Sequence, residues 1–261
     1  MGSLSKTLAE ASLALETELR EYLVGLMPIE YAPAHLRLAF HDAGTYDWHT
    51  RSGGAHGTVR LPDELQRAGN TGWGHACIEL LGEAKTAFPA VSWADLIAVG
   101  AAAAVQKCGG PVIQLGLGRI DGLEPAPAHR LPGGYEGVGL LRSMFARMGL
   151  GARDLVALSG AHTLGFTQRR AFTEDTFVFS NSYFVELLAA PERSTLSSDQ
   201  TLLSDPELRR YVEQYASDQA LFWSDFSEAL RRLTWLGNES EARSGQGVVL
   251  SGRERPLLEP S

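Results

Sequence analysis

The chain has 261 residues, 44% of them hydrophobic and 21% charged, which fits one large domain or two packed lobes with core enough to bury a cofactor. A formal net charge of −8 repels phosphate backbones and argues against nucleic acid as a partner. No apolar run reaches the roughly eighteen residues that a membrane span needs, and the start, Met1 to Lys6, lacks the apolar centre of a signal peptide. Cys77 and Cys108 form no CxxC pair and are too few for a disulfide framework, which points to a reducing, intracellular compartment.

Taken in chain order, the pattern is mostly helical. Leu4 to Leu26 carries apolar residues at helical spacing. A second helix starts near Pro33, because proline suits a first helical turn, and runs through His41 to stop at Gly44. Residues 45–62 read as a loop, and helices follow at 71–86 and 92–105, the latter capped by Ser92 with Asp95 three residues on. Residues 109–138 gather many of the glycines and prolines into a long irregular connection, the kind of stretch that often carries function. Helices are predicted at 139–148, 152–158, 183–190, 205–216 and 218–236, with 160–182 mixed and a loosely held polar tail from Asn238.

Most histidines (His49, His56, His75, His129) sit in polar segments. His41 differs, because Arg37 precedes it by one helical turn and the two side chains share a face. That face is a catalytic cation–imidazole pair, an exposed helix face with a basic pair, or a site where Arg37 is neutralised by Asp42 or Glu64. His162 lies among small residues in Ser159-Gly160-Ala161-His162-Thr163-Leu164-Gly165, where a large flat group can approach the backbone. Its alternative is a buried histidine bonded to a carbonyl. A hydrolase using His41 and Asp42 fails on geometry, since adjacent helical residues point apart.

Seven segments together change the weighing: APAHLRLAFHDAGTYD (32–47), GGAHGTVR (53–60), VSWADLIAVGAAAAV (91–105), HRLPGG (129–134), DLVALSGAHTLG (154–165), FSNSYFVELL (179–188) and SSDQTLLSDPELR (197–209). In this order, from about residue 10 to 236, the chain resembles the class I haem peroxidases, which include ascorbate peroxidase and cytochrome c peroxidase. It is especially similar to the ascorbate peroxidase-related branch. The resemblance implies a mainly α plant-type peroxidase fold, with a distal lobe at about 1–130 and a proximal lobe at about 131–238 sandwiching one haem b, and a separate tail at 239–261. It implies that His162 binds the iron, that Asp199 accepts its other ring proton, and that Phe40, Pro132 and Phe172 pack about the cofactor. His41 becomes the acid–base group in peroxide cleavage, Arg37 the stabiliser of charge on the leaving oxygen, Asn70 the acceptor for the other ring proton of His41, and Glu64 a carboxylate in that network. Read alone, Asn70 is also an ordinary turn residue. The implied activity reduces hydrogen peroxide through a ferryl and porphyrin-radical intermediate, with a small one-electron reductant (an aromatic donor or ascorbate), in a monomer or weak dimer. The branch is associated with organelles, often the chloroplast. The alternative is a haem-binding sensor with the same fold and weak turnover.

The chain departs from the family pattern at four places. Phe40 stands where a distal Trp is usual, which argues against catalase activity, and Phe172 falls at the proximal Trp position. Glu30 and Tyr31 replace the Lys and Cys associated with ascorbate, and Ala171 replaces an Arg, with Arg169 or Arg170 nearby; ascorbate is therefore not the expected donor. About six residues are missing between His162 and Phe172, which is expected to widen access to one haem edge. A proximal monovalent or calcium cation site is matched by Thr163, Thr173, Asp175, the Val178 carbonyl and Ser180, with Ser180 in place of the family's Asp.

Overall fold

The computed structural model describes residues 2–167, 170–194 and 196–238, with side chains from residue 9 onward. The tail expected at 239–261 and Arg169 lie outside the described residues. Among the described residues the fold is helical: α1 (Gly2–Leu26), α2 (Ala32–Ala43), α3 (Pro62–Leu65), α4 (Trp73–Ala87), α5 (Trp93–Lys107), α6 (Val138–Met148), α7 (Ala152–Ser159), α8 (Ser182–Ala189), α9 (Ser197–Thr201), α10 (Pro206–Ser217) and α11 (Gln219–Thr234). The mainly α expectation holds, and among the described residues extended pairing is confined to two isolated bridges. Helices α3 and α9 were not expected, because four or five residues are too few to show a periodicity.

Helix α5 organises the first half. Every residue from Ala94 to Val105 is buried, as a helix that is apolar all round must be. Its run Gly100-Ala101-Ala102-Ala103-Ala104 presents almost no side-chain bulk, so α2 packs closely along it, with α1 and α4 alongside. The second half gathers α7, α8, α10 and α11 around an aromatic cluster of Phe179, Phe184, Tyr215, Phe222 and Phe226. Helix α11 also reaches α2 and joins the two groups.

Caps set the helix starts. Ser92 accepts a hydrogen bond from the Asp95 amide at 3.0 Å, as its sequence context predicts. Asp205 and Asp218 cap α10 and α11. Gly44 ends α2 for a different reason from the left-handed stop that glycine usually signals. Its φ is an ordinary −68°, but a Cβ there would lie 2.7 Å from the Phe40 carbonyl oxygen and 2.9 Å from Leu131.

The long connection between α5 and α6 has neither helix nor strand, yet its amides are satisfied by buried carboxylates. Glu16 accepts from the Leu115 and Gly116 amides at 2.6 and 3.0 Å. Asp95 accepts from Gly118 and Arg119 and forms a buried ion pair with the Arg119 guanidinium at 2.7 Å. The chain is also pinned at Asn238, the residue from which the loosely held tail was expected. Asn238 is buried, donates from Nδ2 to the Ala55 carbonyl at 2.8 Å and accepts from the Ile120 amide at 3.0 Å. Both cysteines are buried, and burial pushes the Cys77 thiol up to about 12 and the Cys108 thiol up to about 11. Buried thiols held so high are structural rather than reactive.

Candidate active site

Helix α2 brings Arg37 and His41 together, one turn apart. The Arg37 Nε faces His41 Nε2 at 3.4 Å. Neither carboxylate that offered an ordinary explanation for Arg37 pairs with it. Asp42 accepts from the Gly57 and Val59 amides instead, and Glu64 accepts from the Ala126 amide at 2.6 Å and lies 3.3 Å from Arg67.

The tautomer of His41 follows from its neighbours. Asn70 Nδ2 lies 2.8 Å from the Glu64 carbonyl, which can only accept, so the amide orientation is fixed and Oδ1 is the atom that meets His41 Nδ1 at 2.6 Å. Nδ1 therefore carries the proton and Nε2 keeps its lone pair. Burial, helped by the Arg37 charge and opposed by the Asn70 bond, holds the His41 pKa down at about 4. His41 is thus a neutral base at physiological pH. Glu64 joins the network through its main-chain carbonyl, not through the carboxylate that the resemblance implied.

Trp73, the first residue of α4, was not singled out by its sequence context. Its ring lies 5.2 Å from the Arg37 guanidinium and meets His41 edge-on at 5.7 Å. The signal that it carried was position: it follows Asn70 by three residues, across the turn that opens α4. Phe40 is half-buried beside His41 and Phe145, with ring centroids 6.3 Å from each.

The second histidine sits in a tight turn after α7. His162 Nδ1 lies 2.9 Å from Asp199 Oδ1. A carboxylate oxygen only accepts, so Nδ1 carries the proton here as well. Nε2 makes no hydrogen bond with any described residue, and the side chain remains 33% exposed. Asp199 is buried at 3% exposure and collects two further donors: the Tyr183 hydroxyl on Oδ1 at 2.9 Å and the Ser194 hydroxyl on Oδ2 at 3.1 Å. Burial and the Asp199 charge push the Tyr183 phenol well above its ordinary pKa.

Phe172 stacks on His162, with centroids 4.6 Å apart and planes 16° from parallel. The shortened segment before it accounts for this placement. Phe166 bridges to Ala171, the Thr167 amide donates to the Arg170 carbonyl, and the Phe172 amide donates to the Gly165 carbonyl, so the chain doubles back at once.

Two contacts hold the histidine-bearing segments together. Gly165, at φ +84°, places its α-carbon so close to the start of α2 that a Cβ would lie 2.7 Å from Pro33. At the other end the 131–134 segment crosses over: Leu131 packs on Gly44, and the Gly134 carbonyl accepts from the Ser198 amide, next to Asp199. Pro132 lies between those two attachments. Arg37 is exposed, while Phe40, Pro132, His162 and Phe172 are half-buried, so surface is left on both segments between the clamps.

The donor set suits haem iron. An imidazole held through Nδ1 by a buried carboxylate, with Nε2 unpartnered among the described residues, is the arrangement required of an axial ligand. Small residues and a stacked phenylalanine beside it suit a flat macrocycle.

The other predicted residues divide. Thr163, the Val178 carbonyl and Ser180 do gather: Thr163 Oγ1 is 3.4 Å from Val178 O, and Ser182 Oγ lies 3.0 Å from the hydroxyls of both Thr163 and Ser180. Thr173 donates to the Thr163 carbonyl at 2.8 Å, and Asp175 is exposed. Among the described residues no group of three or more His, Cys, Asp or Glu is arranged to hold a metal ion. Glu30, Tyr31, Arg170 and Ala171 are all exposed. No described helix is long and apolar enough to cross a membrane.

Comparison with known proteins places the chain in a family. Residues 23–218 match the Peroxidase family. The chain is 43% identical over 214 residues to cytosolic L-ascorbate peroxidase 2 of Arabidopsis thaliana, covering 79% of this chain and 85% of that one. It is 40% identical over 252 residues to cytosolic L-ascorbate peroxidase 2 of Oryza sativa subsp. japonica, covering 92% and 100%. Against the probable peroxisomal L-ascorbate peroxidase 3 of the same rice the identity is 43% over 214 residues, covering 79% and 73%. Those names are cytosolic and peroxisomal and give the chloroplast expectation no support. The chain belongs to the peroxidase family and is a class I plant-type haem peroxidase.

Proposed function

We propose that this peroxidase binds haem b between α2 and the His162 turn and couples hydrogen peroxide reduction to a small one-electron donor, with ascorbate not the preferred one. The reading treats residues 1–238 as one peroxidase domain, with its distal lobe at about 1–130 and its proximal lobe at about 131–238. One observation carries it. Both His41 and His162 are held through Nδ1, by Asn70 and Asp199, so each offers Nε2 for work. One Nε2 suits iron; the other, beside a guanidinium, suits proton transfer.

Haem, when bound, would supply the redox centre at which hydrogen peroxide is reduced. His162 would hold it, Asp199 would make the imidazole a stronger donor, and Phe40, Pro132 and Phe172 would pack about the ring. His41 Nε2 would take the proton of the bound peroxide and return it to the departing oxygen, which leaves as water. Arg37 would stabilise negative charge on that oxygen, with Trp73 holding the guanidinium in place. Asn70 keeps His41 in the tautomer that can accept.

The three relatives described above are named for ascorbate, but the exposed carboxylate of Glu30 would repel that anion. Phe172 in place of an indole leaves only a ring that is hard to oxidise stacked on His162. A proximal cation at Thr163, Thr173, Asp175, Val178 and Ser180 belongs to this reading too, and it would displace the hydrogen bonds that Ser182 now makes.

The test is direct. Haemin should give the purified protein a Soret band and a haem b pyridine haemochrome. His41→Ala should then slow the first reaction with peroxide by about a hundredfold or more in stopped flow. A protein that stays colourless ends the reading, and an unchanged rate removes His41 from it. A panel of ascorbate, guaiacol and a dye identifies the donor, and ascorbate as the fastest would overturn that part.

A further inference from the structure

Tyr183 has no place in the peroxide chemistry above, yet it shares an acceptor with the proximal histidine. Its hydroxyl donates to Asp199 Oδ1 at 2.9 Å, the same oxygen that receives His162 Nδ1 at 2.9 Å. Its ring meets the His162 ring edge-on at 5.9 Å between centroids. The side chain that stacks on His162 is Phe172, which resists oxidation, and the next ring in contact with it is the phenol. A phenol gives up an electron far more readily when a base takes its proton in the same event. Asp199 is that base, already aligned and buried.

We infer that Tyr183 is a redox-active residue of this enzyme: it passes one electron toward the oxidised haem side and its phenolic proton to Asp199 Oδ1, leaving a neutral tyrosyl radical. The inference rests on the haem peroxidase reading, because peroxide reacting at haem is the oxidant. Atoms and charge balance. The phenolic O–H bond breaks, the proton forms an O–H bond on Asp199, and one of the two oxidising equivalents taken from peroxide moves from the haem side onto the phenol. An electron from the external donor, with the proton back from Asp199, restores the phenol. Tyr183 is only 4% exposed, so the radical would be stored away from solvent and from adventitious reductants.

Tyr215 is the competing site, because its hydroxyl is bonded to Asp225 at 2.7 Å. It lies further along the ring cluster: Tyr183 touches Phe184 at 4.9 Å, and Phe184 touches Tyr215 at 5.2 Å.

The experiment mixes haem-loaded protein with hydrogen peroxide, freezes it within milliseconds and records the EPR spectrum. The expected result is an organic radical whose proton splittings collapse when the protein is grown on ring-deuterated tyrosine. That signal should persist in Tyr215→Phe and vanish in Tyr183→Phe. A signal indifferent to deuterated tyrosine, retained in Tyr183→Phe, or lost only in Tyr215→Phe overturns the assignment. Should Tyr183→Phe fail to take up haem, 3-aminotyrosine placed at 183 keeps the ring and hydroxyl. An aminotyrosyl radical must then appear on adding peroxide, and its absence overturns the assignment equally. Haem uptake and the first peroxide step are read by absorbance in the same samples. Their failure refutes the peroxidase reading and this assignment with it; their success without a tyrosyl signal refutes this assignment alone.

Discussion

His35 sits two residues before Arg37 on α2, packed against α5, where its Nδ1 lies 3.4 Å from the position a Cβ would take at Gly100. Both ring nitrogens are buried without a hydrogen-bond partner among the described residues, and burial lowers its pKa from 6.5 to about 4. The unfolded chain therefore binds this proton first as pH falls. The stability that depends on a neutral His35 is complete above pH 6.5 and is lost progressively down to about pH 4. Integrating between those values, His35 is worth almost nothing at about pH 7.5 and costs about 2 kcal/mol at about pH 5. His35→Leu keeps the volume near and removes the titration. Urea melts of both proteins at the two pH values should show the variant gaining about 2 kcal/mol over the parent on acidification. A constant offset is expected besides, because removing unsatisfied polar atoms is worth about 1–3 kcal/mol at any pH. The informative quantity is the change in the difference, and a change below about 0.5 kcal/mol would refute the reasoning. The outcome bears on function, because His35 forms the back of the helix whose front carries Arg37 and His41.

Asn70→Val removes the acceptor for His41 Nδ1; at about 1 kcal/mol for the lost bond, the peroxide step should slow roughly fivefold to tenfold in stopped flow, and an unaltered rate would mean that Asn70 does not set the tautomer. Trp73→Leu removes the ring beside Arg37, and a loss of about 1 kcal/mol should lower kcat/KM for peroxide roughly fivefold while leaving haem affinity alone. If haem affinity falls instead, Trp73 is a packing residue. Gly165→Ala imposes a side chain on a left-handed backbone, a cost of about 1–2 kcal/mol, and pushes against Pro33. Both the urea midpoint and haem uptake should drop, and a midpoint that holds would show that the clamp yields freely.

Helix positions were legible because periodicity, Pro33, Ser92 and Gly44 all mark them, and the observed α2, α5 and α6 to α11 fall within a few residues of expectation where they were expected at all. The pairing of His162 with Phe172 across a shortened loop was legible from counting back from the Phe179 to Phe184 run. Less visible were side chains whose role lies in three-dimensional company. Trp73 reads as the ordinary start of a helix, Tyr183 as a core aromatic, and His35 as one more residue of α2; nothing in local sequence says what packs on them. Glu64 shows the converse: its identity suggested a carboxylate bond to Asn70, whereas the fold uses its backbone and spends the carboxylate on Ala126.

The attachment of Asn238 to Ala55 spans 183 residues of sequence. The same loop sends its Gly57 and Val59 amides to Asp42, the neighbour of His41, and the Ala55 amide itself donates to Leu236. A nascent chain still emerging from the ribosome has made α2 long before residues 236–238 exist. The loop behind the distal pocket of a growing chain therefore stays unfastened until residues 236–238 have been made, long after α2 itself can form.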